Sequence, residues 1–90
     1  MGKILMEFIS PHCPICRSQT GLIKQLCSKY GKLKHQIIDI TKNPGLAQQY
    51  HVMGLPSYLF IEGNNVISNH SGKISEKKFE KDLTFWLKKG

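Results

Sequence analysis

The chain has 90 residues, of which 40% are hydrophobic, and a formal net charge of +7. This length predicts one domain, residues 1–90, with one small core, and it excludes a multidomain enzyme. No run approaches the roughly 20 apolar residues of a membrane span, and the acidic Glu7 comes too early for a signal peptide. We therefore expect a cytoplasmic protein with no membrane partner.

The positive charge comes from twelve lysines and one arginine scattered along the chain, against six acidic residues. Blocks of like charge and alternating arginine and aromatic residues are missing, so a solvated surface is the main interpretation and no nucleic-acid partner is expected. Attraction to acidic protein partners stays open as an alternative. The odd number of cysteines, three, argues against a disulfide-stapled secreted domain.

The first half of the chain reads as strand, helix, strand, helix. Residues 3–9 form an apolar run broken only by Glu7, which predicts a buried strand that ends in a turn at Ser10-Pro11. Apolar residues at helical spacing then predict a helix that begins at the first two cysteines and stops at Gly31. Gly21, inside this helix, predicts a kink or close packing.

A second strand is predicted over residues 36–40, and Asn43 and Pro44 are typical of the cap and first residue of a short helix. This order indicates a parallel βαβ unit. Residues 57–61 and 66–70 predict two strands joined by a hairpin turn. Ser75 then caps a last helix with one apolar stripe for the core, formed by Phe79, Leu83, Trp86 and Leu87.

The cysteine pair Cys13 and Cys16 is the main candidate for chemistry. Two cysteines separated by two residues can close a disulfide or bind a metal. Zinc would need four ligands, and only Cys27 and scattered histidines remain, so we expect no metal. Cys27 lies on the apolar helix face and is expected to be a buried, inert thiol. The histidines at positions 35, 51 and 70 are interpreted as surface residues.

Several motifs, in this order, resemble those of the thioredoxin family. The motifs are Cys13-Pro14-Ile15-Cys16, Asn43-Pro44-Gly45, Gly54-Leu55-Pro56, Glu62-Gly63-Asn64 and Gly72. The resemblance covers nearly the whole chain and implies a thioredoxin-like α/β fold. That fold is a four-stranded mixed sheet, made of a parallel βαβ unit and an antiparallel hairpin, with about three helices. The first strand and helix of full-length thioredoxins have no counterpart, so the chain looks like the minimal core found in glutaredoxins.

The two cysteines are expected to have different roles. Cys13 lies at a helix N-terminus, where free N–H groups and the helix dipole favour the thiolate, and His12 and Arg17 add positive potential. It is the predicted nucleophile, and Cys16, one turn further in, is the predicted resolving thiol. Glu7 stands where thioredoxins carry a buried aspartate, so the resemblance implies that it accepts the proton of Cys16. A solvent-facing edge position is the alternative for Glu7.

The resemblance also implies a substrate-binding surface. In the family, the peptide bond before the proline at Pro56 is cis, and Leu55 offers its backbone to an extended substrate peptide. His12, Pro14, Ile15 and Gly72 complete the expected surface. An ordinary turn proline is the alternative for Pro56.

Departures from the family pattern concern the residues around the sulfurs. His12 replaces a tryptophan, Pro14-Ile15 replaces Gly-Pro, and Gly21 replaces a helix-kinking proline. Cys-Pro-x-Cys resembles the glutaredoxin version, yet Gly54-Leu55 replaces the Thr-Val of glutaredoxins. These changes affect the reduction potential of the cysteine pair, and the sequence does not determine its value.

The sequence therefore predicts a monomeric thiol-disulfide oxidoreductase that reduces protein disulfides. Its only redox group would be the reversible Cys13-Cys16 disulfide, with no other cofactor, and a thioredoxin-reductase-like enzyme would recycle it. A glutaredoxin-like protein recycled by glutathione is one alternative. A non-catalytic binding module or metal carrier on the same fold is the other.

Overall fold

The computed structural model describes residues 2–31 and 33–88. Its elements are, in chain order, β1 (Lys3–Ile9), α1 (Pro14–Lys29), β2 (Lys34–Asp39), α2 (Pro44–Gln49), β3 (Ser57–Glu62), β4 (Asn65–Ser71) and α3 (Glu76–Lys88). The strands form one sheet in the order β2-β1-β3-β4. Strand β1 runs parallel to β2 and antiparallel to β3, and β3 is antiparallel to β4. The predicted four-stranded mixed sheet with three helices is confirmed.

The core lies on both faces of the sheet because β1 and β3 are its central strands and alternate residues of each point to opposite sides. One face packs against α1 and α3 through a cluster that includes Leu5, Ile23, Leu26, Tyr58, Phe60, Phe79, Leu83 and Trp86. The other face packs against α2 and holds Met6, Phe8, Ile38, Leu59 and Ile61. The predicted apolar stripe of α3 is confirmed. The Trp86 ring stacks on the Phe60 ring with centroids 4.5 Å apart.

One edge of the sheet brings together the chain segments that carry the motifs. Ile9, at the end of β1, pairs with Asp39 at the end of β2, and Ser57, at the start of β3, pairs with Ser71 at the end of β4. Since β1 and β3 are antiparallel neighbours, the loop after β1 and the residues before β3 lie at the same edge. The cysteine pair and Pro56 are therefore placed at one end of the fold.

Close packing at Gly21 and side-chain capping by Asn43 were predicted, and both were wrong. An added Cβ at Gly21 would meet nothing within 4 Å, so this glycine has no close packing, and the alternative of a kink stays a prediction. Asn43 occupies the N-cap position of α2, but its side chain makes no capping bond. Its Nδ2 instead donates to the carbonyl oxygen of Asp39 at 3.2 Å. Pro44 does begin the helix, as predicted.

The surface assignment of the three histidines holds only for His51, which is exposed. His70 is partly buried, and its ring centroid lies 5.2 Å from that of Phe60 and 6.0 Å from that of Phe79. His35 lies inside the site described below. Within residues 2–31 and 33–88, no helix is long and apolar enough to cross a membrane.

The buried stripe of α3 gives a stability prediction. Leu83 is fully buried between α3 and the sheet, so Leu83→Ala should lower the free energy of unfolding by about 2–5 kcal/mol. Met53 is 93% exposed, and Met53→Ala should change it by less than about 0.5 kcal/mol. Urea unfolding followed by circular dichroism measures both. Equal losses in the two variants would contradict this packing.

Candidate active site

A hydrogen-bonded turn after β1 places Cys13 at the start of α1. The amide of Cys13 donates to the carbonyl oxygen of Ser10 at 3.1 Å, and the amide of His12 donates to Oγ of Ser10 at 3.2 Å. Cys13 is the N-cap residue of α1, and Pro14 is the first residue inside the helix, where a missing N–H costs little. The first turn holds no acidic residue that would oppose a thiolate.

The two sulfurs of the pair have different surroundings. Cys13 and Cys16 are joined by a disulfide, with their Cα atoms 5.3 Å apart. The amide of Cys16 donates to Sγ of Cys13 at 3.2 Å, as a helix N-terminal amide does for a capping group. Cys13 is partly exposed, whereas Cys16 is 2% exposed. An incoming molecule can therefore reach Cys13 more easily than Cys16.

Residues on both sides of the disulfide form two open cavities. The cavity beside Cys13 measures about 340 Å³ and is lined by Pro11, His12, Cys13, Pro14 and Arg17. The cavity beside Cys16 measures about 360 Å³ and is lined by Ile9, Ser10, Pro11, Cys16, Arg17, Thr20 and Asp39. Arg17 lines both and adds positive charge near each sulfur. Ile15 is exposed on the same turn of helix.

Glu7 lies behind the disulfide, on the face of β1 that packs against α1. Its side chain has no exposed surface, so the alternative of a solvent-facing edge position is excluded. The hydroxyl of Thr20 donates to Oε2 of Glu7 at 2.6 Å, and Nε2 of His35 lies 2.8 Å from Oε1. Both carboxylate oxygens therefore have a hydrogen-bond partner, as a buried carboxylate requires.

Thr20 links Glu7 to the neighbourhood of Cys16. It follows Cys16 by four residues, which places both on one face of α1, and both line the same cavity. The carboxylate of Glu7 is thus one hydroxyl away from the cavity beside the inner sulfur. The role of Glu7 as proton acceptor stays a prediction.

The sequence reasoning missed two residues of this site, Thr20 and His35. Thr20 could have been found, because residues four apart share a helix face. His35 was assigned to the surface, and that assignment was wrong, because its side chain is only about 10% exposed. Its contact with Glu7 depends on the parallel register that sets Leu5 beside His35 and Glu7 beside Ile37, and no local pattern of residues reports this register.

Two further groups respond to the charge of Glu7. Burial raises the pKa of the Cys27 thiol to about 11, and the carboxylate of Glu7 adds to the rise. Burial and the same carboxylate also raise the pKa of Tyr58. Since the thiolate is the reactive form of a cysteine, Cys27 is inert near neutral pH. The prediction of a buried, inert Cys27 agrees with this environment.

The predicted substrate residues at positions 55, 56 and 72 lie together. The peptide bond between Leu55 and Pro56 is cis, so the alternative of an ordinary trans turn proline is excluded. The amide of Gly72 donates to the carbonyl oxygen of Pro56 at 2.7 Å, and its φ of +80° is a conformation that favours glycine. In the described part of the chain, no hydrogen bond joins these three residues to the cysteine pair, although all lie at the same edge of the sheet.

Metal binding finds no support in the arrangement of side chains. Across residues 2–31 and 33–88, no three His, Cys, Asp or Glu side chains come close enough to hold a metal ion. What the arrangement can do is exchange disulfides, because a reachable sulfur is paired with a buried one.

Comparisons with known proteins agree with this chemistry. The family model for thioredoxin matches residues 1–85. The thioredoxin of Buchnera aphidicola from Schizaphis graminum is 28% identical over 74 residues, which cover 81% of this chain and 68% of the relative. The thioredoxin of Chlorobaculum thiosulfatiphilum is 27% identical and covers 89% of this chain and 75% of the relative.

The solved structure of the germline-specific thioredoxin Deadhead from Drosophila melanogaster has a TM-score of 0.85 to this chain at 25% identity. The match covers 92% of this chain and 79% of Deadhead. With a family model that matches nearly its whole length and a disulfide-bonded Cys13-Cys16 pair at a helix N-terminus, the chain belongs to the thioredoxin family of thiol-disulfide oxidoreductases.

Proposed function

We propose that this protein reduces disulfides of other proteins by dithiol exchange, with Cys13 as the nucleophile and Cys16 as the resolving thiol. The observation that carries the proposal is the asymmetry of the pair. Cys13 is partly exposed at the N-cap of α1, and its Sγ accepts a hydrogen bond from the amide of Cys16. Cys16 itself is only 2% exposed. Family membership supports the reaction class, and this asymmetry supports the assignment of the two roles.

In the first step, the Cys13 thiolate attacks one sulfur of the substrate disulfide. The substrate S–S bond breaks, its second sulfur leaves with the electron pair as a thiolate, and a mixed disulfide joins Cys13 to the substrate. The hydrogen bond from the Cys16 amide and the positive end of α1 favour the attacking thiolate. Arg17, which lines the cavity beside Cys13, contributes in the same direction.

In the second step, Cys16 attacks Sγ of Cys13 and displaces the reduced substrate. A new S–S bond joins Cys13 and Cys16, and the two electrons of the dithiol have passed to the substrate. Cys16 must lose its proton before it can attack, and Glu7 is the acceptor in this proposal because its carboxylate is buried behind α1 and bonded to Thr20. The oxidised product is the form that the structure holds.

The substrate would lie over the edge of the sheet that carries both groups of motif residues. Leu55, before the cis Pro56, offers backbone groups to an extended peptide, and Gly72 holds Pro56 by a hydrogen bond. His12, Pro14 and Ile15 are exposed beside Cys13 and would contact the same peptide. The net charge of +7 favours acidic partners.

Recycling of the oxidised pair requires a reductant that supplies two electrons. We assign this role to a thioredoxin-reductase-like enzyme acting on a monomer in the cytoplasm. This assignment rests on the thioredoxin relatives, which the chain matches over most of its length.

An insulin-reduction assay tests the function. With NADPH and thioredoxin reductase, the protein should precipitate reduced insulin chains, and Cys13→Ser should abolish the activity because it removes the nucleophile. Activity only with glutathione and glutathione reductase would replace the proposed recycling partner. Inactivity with both systems would overturn the proposed function.

A trapping experiment tests the two cysteine roles. Cys16→Ser should leave a stable mixed disulfide between Cys13 and a peptide disulfide substrate, because the resolving thiol is missing. Peptide mapping by mass spectrometry locates the adduct. The control is Cys16→Ser combined with Cys27→Ala, which should trap the same amount. Adducts carried by Cys27 would contradict the assignment.

A further inference from the structure

In the proposed function, Glu7 accepts a proton at a position with no contact to bulk water. The proposed function gives the carboxylate one proton from Cys16 in every oxidation of the pair, and its side chain has no exposed surface. Unless that proton leaves the carboxyl, it can return to Cys16 before the attack, so the second step depends on how fast it leaves. Thr20 leads back to the cavity beside Cys16, so a path away from the sulfur needs a group at the other carboxylate oxygen.

His35 is placed to be that group. Its Nε2 lies 2.8 Å from Oε1 of Glu7, while the other oxygen, Oε2, accepts a hydrogen bond from Thr20 on α1. His35 is on β2, an edge strand, and its side chain is about 10% exposed. It also lines an open surface cavity of about 320 Å³, whose other lining residues include Lys24, Cys27, Ser28 and Ile37. One side of the imidazole thus contacts Glu7 and another part of the side chain reaches the surface.

We propose that His35 carries protons between the buried carboxyl of Glu7 and water, through the surface cavity between α1 and β2. This inference rests on the proposed role of Glu7. When Cys16 gives up its proton, the carboxyl O–H of Glu7 breaks, an N–H bond forms at Nε2 of His35, and Nδ1 releases its proton to water. Glu7 is again a carboxylate, and no electrons move in these steps.

The reverse path closes the cycle when the disulfide is reduced. Nδ1 of His35 takes a proton from water, Nε2 returns its proton to Oε1 of Glu7, and the carboxyl protonates the Cys16 thiolate. In the oxidised protein the ring thus carries its proton on Nε2 and donates to Oε1 of Glu7, and in the reduced protein Nε2 is free to accept the proton that Glu7 takes from Cys16. Histidine is suited to this transfer because each ring nitrogen can bind or release a proton near neutral pH.

Other titratable groups that face the pair do not compete below about pH 9. Cys27 from α1 stays a neutral thiol because burial and Glu7 raise its pKa to about 11. Tyr58 from β3 stays neutral because the same two causes raise its pKa. Lys24 adds a cation at the rim of the cavity. The proton on this path is therefore exchanged between Glu7 and His35, which lie in direct contact.

A two-step reaction with dithionitrobenzoate separates the roles of the two cysteines. In a Cys27→Ala background, attack by Cys13 on the reagent releases the first thionitrobenzoate. Attack by Cys16 on the mixed disulfide releases the second. Stopped-flow absorbance records both rates in one experiment, so the first phase serves as an internal control for folding and for the reactivity of Cys13.

His35→Gln keeps a hydrogen-bonding side chain but cannot pass a proton. It should slow the second phase at least about tenfold, within the roughly 10²–10⁴-fold that a positioned acid or base contributes, and leave the first phase unchanged. The matched control, His70→Gln, should alter neither phase. Imidazole added to His35→Ala should restore part of the second-phase rate, because the cavity admits a small base. A purely structural role of His35 would not give this rescue.

Glu7→Gln distinguishes failure of this inference from failure of the proposed function. It should slow the second phase, and Glu7→Gln with His35→Gln should be no slower, because both residues act in one path. If Glu7→Gln slows the second phase while His35→Gln and His35→Ala do not, the path through His35 is wrong and the role of Glu7 stands. If the unmodified protein shows no second phase, or Glu7→Gln does not slow it, the proposed mechanism fails as well.

Discussion

The carboxylate of Glu7 sits on a central strand of the sheet with none of its surface in water. A buried charge without partners destabilises a fold by several kcal/mol, so its hydrogen bonds have to form as the core closes. One comes from Thr20 on α1 and the other from His35 on β2. These bonds hold a helix and an edge strand to β1, and they fix how α1 lies on the sheet. Cys16, one turn before Thr20, is positioned by the same contact.

The reactivity of the disulfide follows from where α1 begins. The turn after β1 leaves Cys13 as the N-cap, so an amide of the first helical turn, that of Cys16, donates to the sulfur itself. The helix then carries Cys16 into the protein, where it faces the apolar edge of the cavity shared with Thr20. Two identical side chains thereby differ in exposure and in the charge that surrounds them. In the proposed function, the buried carboxylate of Glu7 acts on the inner sulfur, because Thr20 links it to the cavity beside Cys16.

Local patterns predicted the elements well, because each depends on residues close in sequence. The apolar run predicted β1, and the apolar residues at helical spacing after the cysteines predicted α1. Ser75 and the apolar stripe that follows it predicted α3. Glu7 was recognised as buried because its neighbours are apolar. The cis bond at Pro56 needed the family resemblance, since only roughly 5% of X-Pro bonds in folded proteins are cis.

Contacts between distant elements could not be predicted in the same way. His35 pairs with Glu7 through the register of two parallel strands. Gln19 is buried, and its Oε1 accepts from the Tyr58 hydroxyl at 3.4 Å and from the Ile74 amide at 3.5 Å. The side-chain oxygen of Asn43 could have accepted from an amide of α2, but it makes no such bond, and Nδ2 donates to the carbonyl oxygen of Asp39. These three residues are polar, and their partners are set by tertiary packing, which local propensity does not predict.

The central claim is that one helix start and one buried carboxylate give two neighbouring thiols different chemistry. The most direct measurement is a pH titration of the reduced protein by NMR, with the ¹³Cβ signals of Cys13 and Cys16 followed separately. We expect the pKa of Cys13 to lie below the roughly 8.5 of a free cysteine and below that of Cys16. A pKa of Cys13 at or above that of Cys16 would contradict the account.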